Sequence, residues 1–253
     1  MKYVRVEYRN GLEQQICYGI LEDTTVQLLT DAPWNGGCPT ERVPLLRCNL
    51  LAPVTPSKVV AVGVNYRSHA EEMGDEVHAD PVLFLKPSTA VIGPGQVILC
   101  PQASQRVDYE AELAVVIGKT MRSVPADRAM DYVAGFTCLN DVTARDLQKK
   151  DGQWTRGKGF DTFCPIGPWI VDKLDHGHVT VTSRLNGEVR QNGSTSAMLT
   201  DVPHLLAYIS SVMTLLPGDV VTTGTPDGIG PMKCGDVVEI EVEGIGVLRN
   251  PVR

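Results

Sequence analysis

Residues Val107–Lys119 read "VDYEAELAVVIGK", and this stretch decides how the chain is understood. Most of it is apolar in the manner of a buried strand. Side chains alternate across a strand, so Glu110 and Glu112 share one face, with Asp108 at the same spacing, while Ala111, Leu113, Val115 and Ile117 share the other. Two like charges on one face of a core strand repel each other and lose hydration, which is costly unless offset. Four resolutions stand open on these residues alone: an exposed face with solvated acids, arginine or lysine partners, protonation of one acid, or a divalent cation between them. Carboxylates without His or Cys neighbours select a hard ion: Mg²⁺, Mn²⁺ or Ca²⁺.

The chain has 253 residues, 43% hydrophobic and 21% charged, in the range of an ordinary globular protein. A net charge of −7 and a pI near 5.3 argue against nucleic-acid or anionic-membrane partners, which call for a basic surface. The apolar runs fall short of the ~20 residues of a membrane span, and "MKYVRVEYRNG" has no apolar leader segment. A cytoplasmic protein is expected. Seven cysteines, an odd number with no C-x-x-C spacing, indicate buried reduced thiols, with neither a disulfide framework nor a zinc knuckle.

Residues 1–55 are expected to form a small β unit from "YVRVEY", "ICYGILE" and "TVQLL", ending in the proline-bearing linker "LLAPVTPSK". The remainder, 56–253, is expected to form the main domain. Strands are expected at "VVAVGVNY", "PVLFLKP", "QVILC" and "AGFTCLND", and a helix over "TARDLQKKDG" with Thr143 as N-cap. Asn186–Gly187 suits a type I′ hairpin turn. Asp201 is placed as the cap of a helix whose apolar stripe is Val202, Leu205, Leu206, Ile209, Val212 and Met213. Many short strands and few helices indicate a sheet-dominated α+β fold.

Other segments carry candidate chemistry. Asp141 ends a strand, where it can serve as a third carboxylate or as a turn residue. His69 and Glu72, spaced i, i+3, share a helical face. A carboxylate beside an imidazole makes a workable base, though such a pair also occurs on plain surface helices. "GQWTRGKG" (152–159) mimics a phosphate loop, but Gly159 stands where a hydroxyl is needed and the segment follows a helix, so nucleotide binding is rejected. Lys158 between two glycines is either a cation presented to a ligand or a solvated loop lysine. "TTGTPDGIG" (222–230), with Gly224 and Thr225, can hold a carboxylate or form an ordinary turn. The absence of G-x-G-x-x-G and G-x-S-x-G disfavours a dinucleotide enzyme or a serine hydrolase.

In order along the chain, "GVNYRSHAEEMG", "FLKPSTAVIGPG", "VDYEAELAVVIGK", "GFTCLNDVTARDLQ", "WTRGKGFDTFCPIGP", "LNGEVRQ" and "TTGTPDGIGPM" resemble the blocks of the fumarylacetoacetate hydrolase family over about residues 56–253. The first 50 or so residues resemble the small variable N-terminal unit of bacterial members. The resemblance implies a β-rich roll or sandwich with a few short helices, usually a homodimer, with one Mg²⁺ or Mn²⁺ per site. It implies Glu110, Glu112 and Asp141 as metal ligands, Lys158 beside the metal, and His69–Glu72 as the base dyad. Thr225 would grip the substrate's carboxylate and Gln148 would gate the site. Asp108 is an extra acid behind the ligands, and Arg145 is read as structural. The implied chemistry passes through an enolate of a 2-oxo acid or dicarboxylate. C–C hydrolysis of an acylpyruvate is set slightly ahead of isomerisation of a 2-hydroxyhepta-2,4-diene-1,7-dioate type of diacid and of oxaloacetate decarboxylation. A non-catalytic, metal-stabilised binding protein is the remote alternative.

Overall fold

The computed structural model describes residues 1–11, 13–74 and 76–253. The alternating N-terminal segments form β1 (Lys2–Asn10), β2 (Glu13–Glu22), β3 (Thr25–Leu29) and β4 (Pro39–Pro44), antiparallel neighbours in that order, and a short β5 (Cys48–Leu50). Their inward residues Val4, Val6, Val26 and Leu28 make a small core. β6 (Val59–Gly63) leads into α1 (Arg67–Met73), followed by β7 (Val82–Lys86) and β8 (Val91–Ile92). The acidic stretch becomes β9 (Val107–Tyr109) and β10 (Ala111–Ile117). Next come α2 (Ala126–Ala129), β11 (Val133–Asn140), β12 (Thr143–Ala144), α3 (Arg145–Asp151), α4 (Thr155–Lys158) and β13 (Cys164–Val171). The hairpin β14 (Thr180–Leu185)–β15 (Glu188–Ser194) precedes α5 (Val202–Val212), β16 (Val220–Thr222) and β17 (Gly230–Met232), and the hairpin β18 (Val237–Val242)–β19 (Gly246–Pro251) closes the fold.

Among the described residues the strands make a twelve-stranded sheet ordered β4-β3-β2-β1-β13-β11-β10-β16-β6-β7, with β5 beside β1 and β8 beside β13. A four-stranded sheet, β15-β14-β18-β19, and a three-stranded one, β12-β9-β17, complete it. This is the β-rich α+β fold expected. The pairing of β1 with β13 makes the N-terminal strands continuous with the main sheet.

β10 sits in mid-sheet and is buried throughout. Ala111, Leu113, Val115 and Ile117 pack with Leu205 and Ile209 of α5 and with Val181, Ile240 and Leu248 of the four-stranded sheet. On the opposite face, Ala114 and Val116 join Leu139, Ile166 and Val220. The acids occupy the end of that second face, so their strand has no solvated side.

Four local expectations are corrected. Thr143 is no helix cap: it lies in β12 opposite Asp108, and its hydroxyl donates to Asp141 O, so α3 begins at Arg145 without a side-chain cap. "QVILC" makes only an isolated bridge, Ile98 to Val252. Asp201 does cap α5, accepting the His204 N–H at 3.0 Å, but Val212 is 58% exposed because the helix ends there and Met213 is extended. All seven cysteines are free, yet only Cys138 and Cys164 are buried, and Cys38 and Cys234 are exposed.

Candidate active site

β10 and β11 pair antiparallel with Ala111 opposite Asn140 and Glu112 opposite Leu139. That register delivers Asp141 to Glu110: the Asp141 N–H donates to Glu110 O at 2.9 Å, and the Glu110 N–H to Asn140 Oδ1 at 3.0 Å. One carboxylate oxygen from each of Glu110, Glu112 and Asp141 lies within 4.8 Å of the others, and all three residues are buried. The i, i+2 spacing and the antiparallel register of β11 beside β10 are enough to make this cluster.

Cations surround it unevenly. Lys158 Nζ donates to Glu110 Oε2 at 2.8 Å and to Asp141 Oδ2 at 2.6 Å. Lys86, fully buried at the end of β7, donates to Asp141 Oδ1 at 2.5 Å and to Val142 O at 3.2 Å. Arg145 donates from Nη2 to Glu110 Oε1, from Nε to Asp108 Oδ2 at 2.9 Å and from Nη1 to Gln148 Oε1 at 2.6 Å. Glu112 has no cation in contact among the described residues. It accepts from the Gly224 N–H at 2.8 Å, where φ of 88° and the proximity of Asn65 both favour a residue without Cβ.

The electrostatics follow these partners. Burial pushes the Glu110 carboxyl up, but Lys158 and Arg145 outweigh it and hold the group well below the usual range. For Glu112, burial acts together with the charges on Asp141 and Glu110, so its carboxyl is held well above the usual range. Burial disfavours the charged Lys158, yet Asp141 and Glu110 more than compensate and raise it.

The donor set fits a hard divalent cation. Three buried carboxylates converge without His or Cys, and one of them, Glu112, has no cation in contact among the described residues, a charge deficit that such an ion fills.

The turn between β6 and α1 approaches from the other side. Val64 holds a left-handed φ of 57°, rare for a β-branched residue. Asn65 behind it donates to Thr200 O at 3.0 Å and Thr223 O at 2.8 Å, and accepts the Thr200 N–H. This anchors α1, which presents His69, with Nδ1 3.2 Å from Glu72 Oε2; Glu72 Oε1 in turn accepts the Gly228 N–H. Thr225 donates its hydroxyl to Ala111 O at 2.8 Å and accepts from Gln191 Nε2 at 2.7 Å.

A narrow pocket brings together His69, Glu110, Glu112, Asp141, Gln148, Lys158 and Thr225. Gly224 touches the cluster through its backbone, and Glu72 stands behind His69, partly exposed. Asp108 points to Arg145 and Arg106, away from the cluster. Lys86 has no mark in the sequence, since a lysine ending "VLFLK" carries no signal of a partner 55 residues away. Arg145, expected to be structural, lines the pocket and bonds Glu110.

Residues 58–253 match the model of the fumarylacetoacetate (FAA) hydrolase C-terminal family, and residues 1–53 match an N-terminal family described as Rv2993c-like. The crystal structure of 5-carboxymethyl-2-hydroxymuconate delta-isomerase from Mycobacterium smegmatis superposes with a TM-score of 0.93 at 46% identity, covering 100% of this chain and 99% of that one. Maleylpyruvate hydrolase from Sphingobium sp. SYK-6, solved with manganese(II) and pyruvate, gives 0.80 at 30% identity, covering 100% and 98%. Oxaloacetate tautomerase Fahd2a, mitochondrial, of Rattus norvegicus is 43% identical over 222 residues, 83% of this chain and 71% of the relative. With a family model covering most of its length and solved relatives matching it end to end, the chain belongs to the fumarylacetoacetate hydrolase family.

Proposed function

We propose that the protein is a divalent-metal-dependent enzyme that hydrolyses a C–C bond of an acylpyruvate. The observation that carries this is one pocket holding both a three-carboxylate cluster and a His69–Glu72 pair. Glu110, Glu112 and Asp141 would hold the ion, which when bound supplies Lewis acidity toward a developing oxyanion.

The chain's own residues would do the rest. Glu72 orients His69, which takes a proton from water. The resulting hydroxide adds to the distal carbonyl. The C–C bond breaks with its electron pair passing to the 2-oxo half as an enolate, which is then protonated to pyruvate. Lys158 adds positive charge beside that enolate. Thr225 would turn its hydroxyl from Ala111 O to the substrate carboxylate, and Gln148 would cover the pocket.

A second reading is proton transfer between the keto and enol forms of oxaloacetate. The rat relative's name and 43% identity favour it, and the same dyad would carry the proton.

The test is an assay of chelator-stripped protein, reloaded with Mg²⁺ or Mn²⁺, against acetylpyruvate, oxaloacetate and a hydroxymuconate-type diacid. Ion-dependent release of pyruvate from acetylpyruvate supports hydrolysis. Turnover of oxaloacetate alone selects the second reading. Loss of melting temperature on chelation, with no turnover of any substrate, would leave only a structural ion.

A further inference from the structure

Besides the carboxylates and the polar side chains of His69, Arg145, Gln148, Lys158 and Thr225, the pocket has one apolar side, made by Val62, Val64, Met73, Phe84 and Trp154. Phe84 and Trp154 meet edge to face, with ring centroids 5.2 Å apart, and Lys158 Nζ lies 4.9 Å from the Phe84 ring centroid. The indole lies so close to β6 that a Cβ at Gly63 would come within 2.5 Å of Trp154 Cζ3, so glycine there is what admits the ring. The same two aromatic residues also line a larger open groove of ≈ 840 Å³, between the edge strand β7 and the segment joining α3 to α4. Phe84 and Trp154 are therefore common to the lining of the pocket and of the groove.

The cations of both linings are committed. In the pocket, Arg145 is bound to Asp108 and Glu110, and Lys158 to Glu110 and Asp141. In the groove, Lys58 Nζ is 2.5 Å from Asp219 and Lys86 is 2.5 Å from Asp141. Among the described residues, neither lining offers a lysine or arginine without a carboxylate partner. A second carboxylate buried against these rings would be desolvated with no uncommitted cation to meet it, whereas an apolar group gains from burial there.

We infer that the pocket and groove form a subsite for an uncharged, apolar substrate tail, aromatic rings included, with Phe84 and Trp154 as its wall. The inference rests on the reading above that a 2-oxo acid head occupies the carboxylate centre.

Calorimetric titration of the Mn²⁺-loaded full chain with pyruvate, 2-oxo-4-phenylbutanoate and 2-oxoglutarate tests it without depending on turnover. The phenyl compound should bind at least about tenfold more tightly than pyruvate, and 2-oxoglutarate no more tightly than pyruvate. Trp154→Ala and, separately, Phe84→Leu should each compress the phenyl advantage. Tightest binding of 2-oxoglutarate, or a phenyl advantage unchanged in both variants, overturns the tail subsite while the head assignment stands. Equal binding of all three does the same. Failure of all three to bind overturns the head assignment and the subsite with it.

Discussion

Lys86 and Asp141 form an ion pair sealed from solvent, with Nζ 2.5 Å from Oδ1 and side chains 0% and 1% exposed. The lysine comes from the edge strand of the sheet and the aspartate from the end of β11, so the pair fixes one carboxylate of the cluster from outside the acidic stretch. Breaking a buried pair leaves an uncompensated charge. Lys86→Met should therefore destabilise the protein by about 3 kcal/mol, the low end for such a change because Lys158 still holds Oδ2. Urea denaturation checks this, and a cost near zero would mean the pair contributes no net stability.

Glu112 is the ligand candidate with no cation in contact among the described residues. A carboxyl held above its unfolded value resists ionisation in the fold, so the metal-free protein loses stability as pH rises from the ordinary carboxylate range toward that raised value. Glu112→Gln removes this loss. In chelator at pH 7 to 8 the variant should melt at or above the wild-type temperature, and at pH 4 the difference should shrink. Added Mn²⁺ should raise the melting temperature of the wild type and not of the variant. A retained Mn²⁺ shift would remove Glu112 from the ligand set.

Glu110→Ala should abolish metal-dependent turnover. It also strands Arg145 and Lys158, which now share that carboxylate, so stability should fall as well. Turnover and melting measured together check both effects, and full activity in the variant would refute the ligand role.

His69→Ala should lower turnover by roughly 10²–10⁴, the worth of a positioned base, while Mn²⁺ affinity measured by titration stays the same. Loss of metal binding instead would make His69 a ligand.

Thiol chemistry gives an independent check on the packing. Burial pushes Cys138 and Cys164 up to about 12, and both lie in the core. In native protein at pH 8 a thiol reagent should label Cys38 and Cys234 first and leave Cys138 and Cys164 unmodified until unfolding, as peptide mapping would show. Early labelling of Cys164 would indicate that the sheet opens near the site.

The acidic stretch was readable because strand alternation is a local rule: the spacing of Glu110 and Glu112, and the apolar residues between and after them, require no knowledge of the rest of the chain. Asp141 became readable once its strand was set beside theirs. The partners of these acids were not legible. Lys86 lies 55 residues from Asp141, and Arg145 lies 35 from Glu110; neither periodicity nor composition encodes which cation reaches which acid. Thr143 misled because a threonine before a helix is usually a cap, whereas here the three-stranded sheet claims its backbone and Asp141 O its hydroxyl. The groove along β7 was invisible for the same reason as Lys86: it exists only where an edge strand meets a distant loop.

Val64 carries a further consequence. A valine kept left-handed stores on the order of 1–3 kcal/mol of backbone strain, and the Asn65 clamp onto Thr200 and Thr223 is what keeps it loaded. The joint that delivers α1 to the site thus works like a sprung hinge. Val64→Gly offers selection for heat resistance an easy release of that tension, at the expense of the firmness with which the imidazole is aimed.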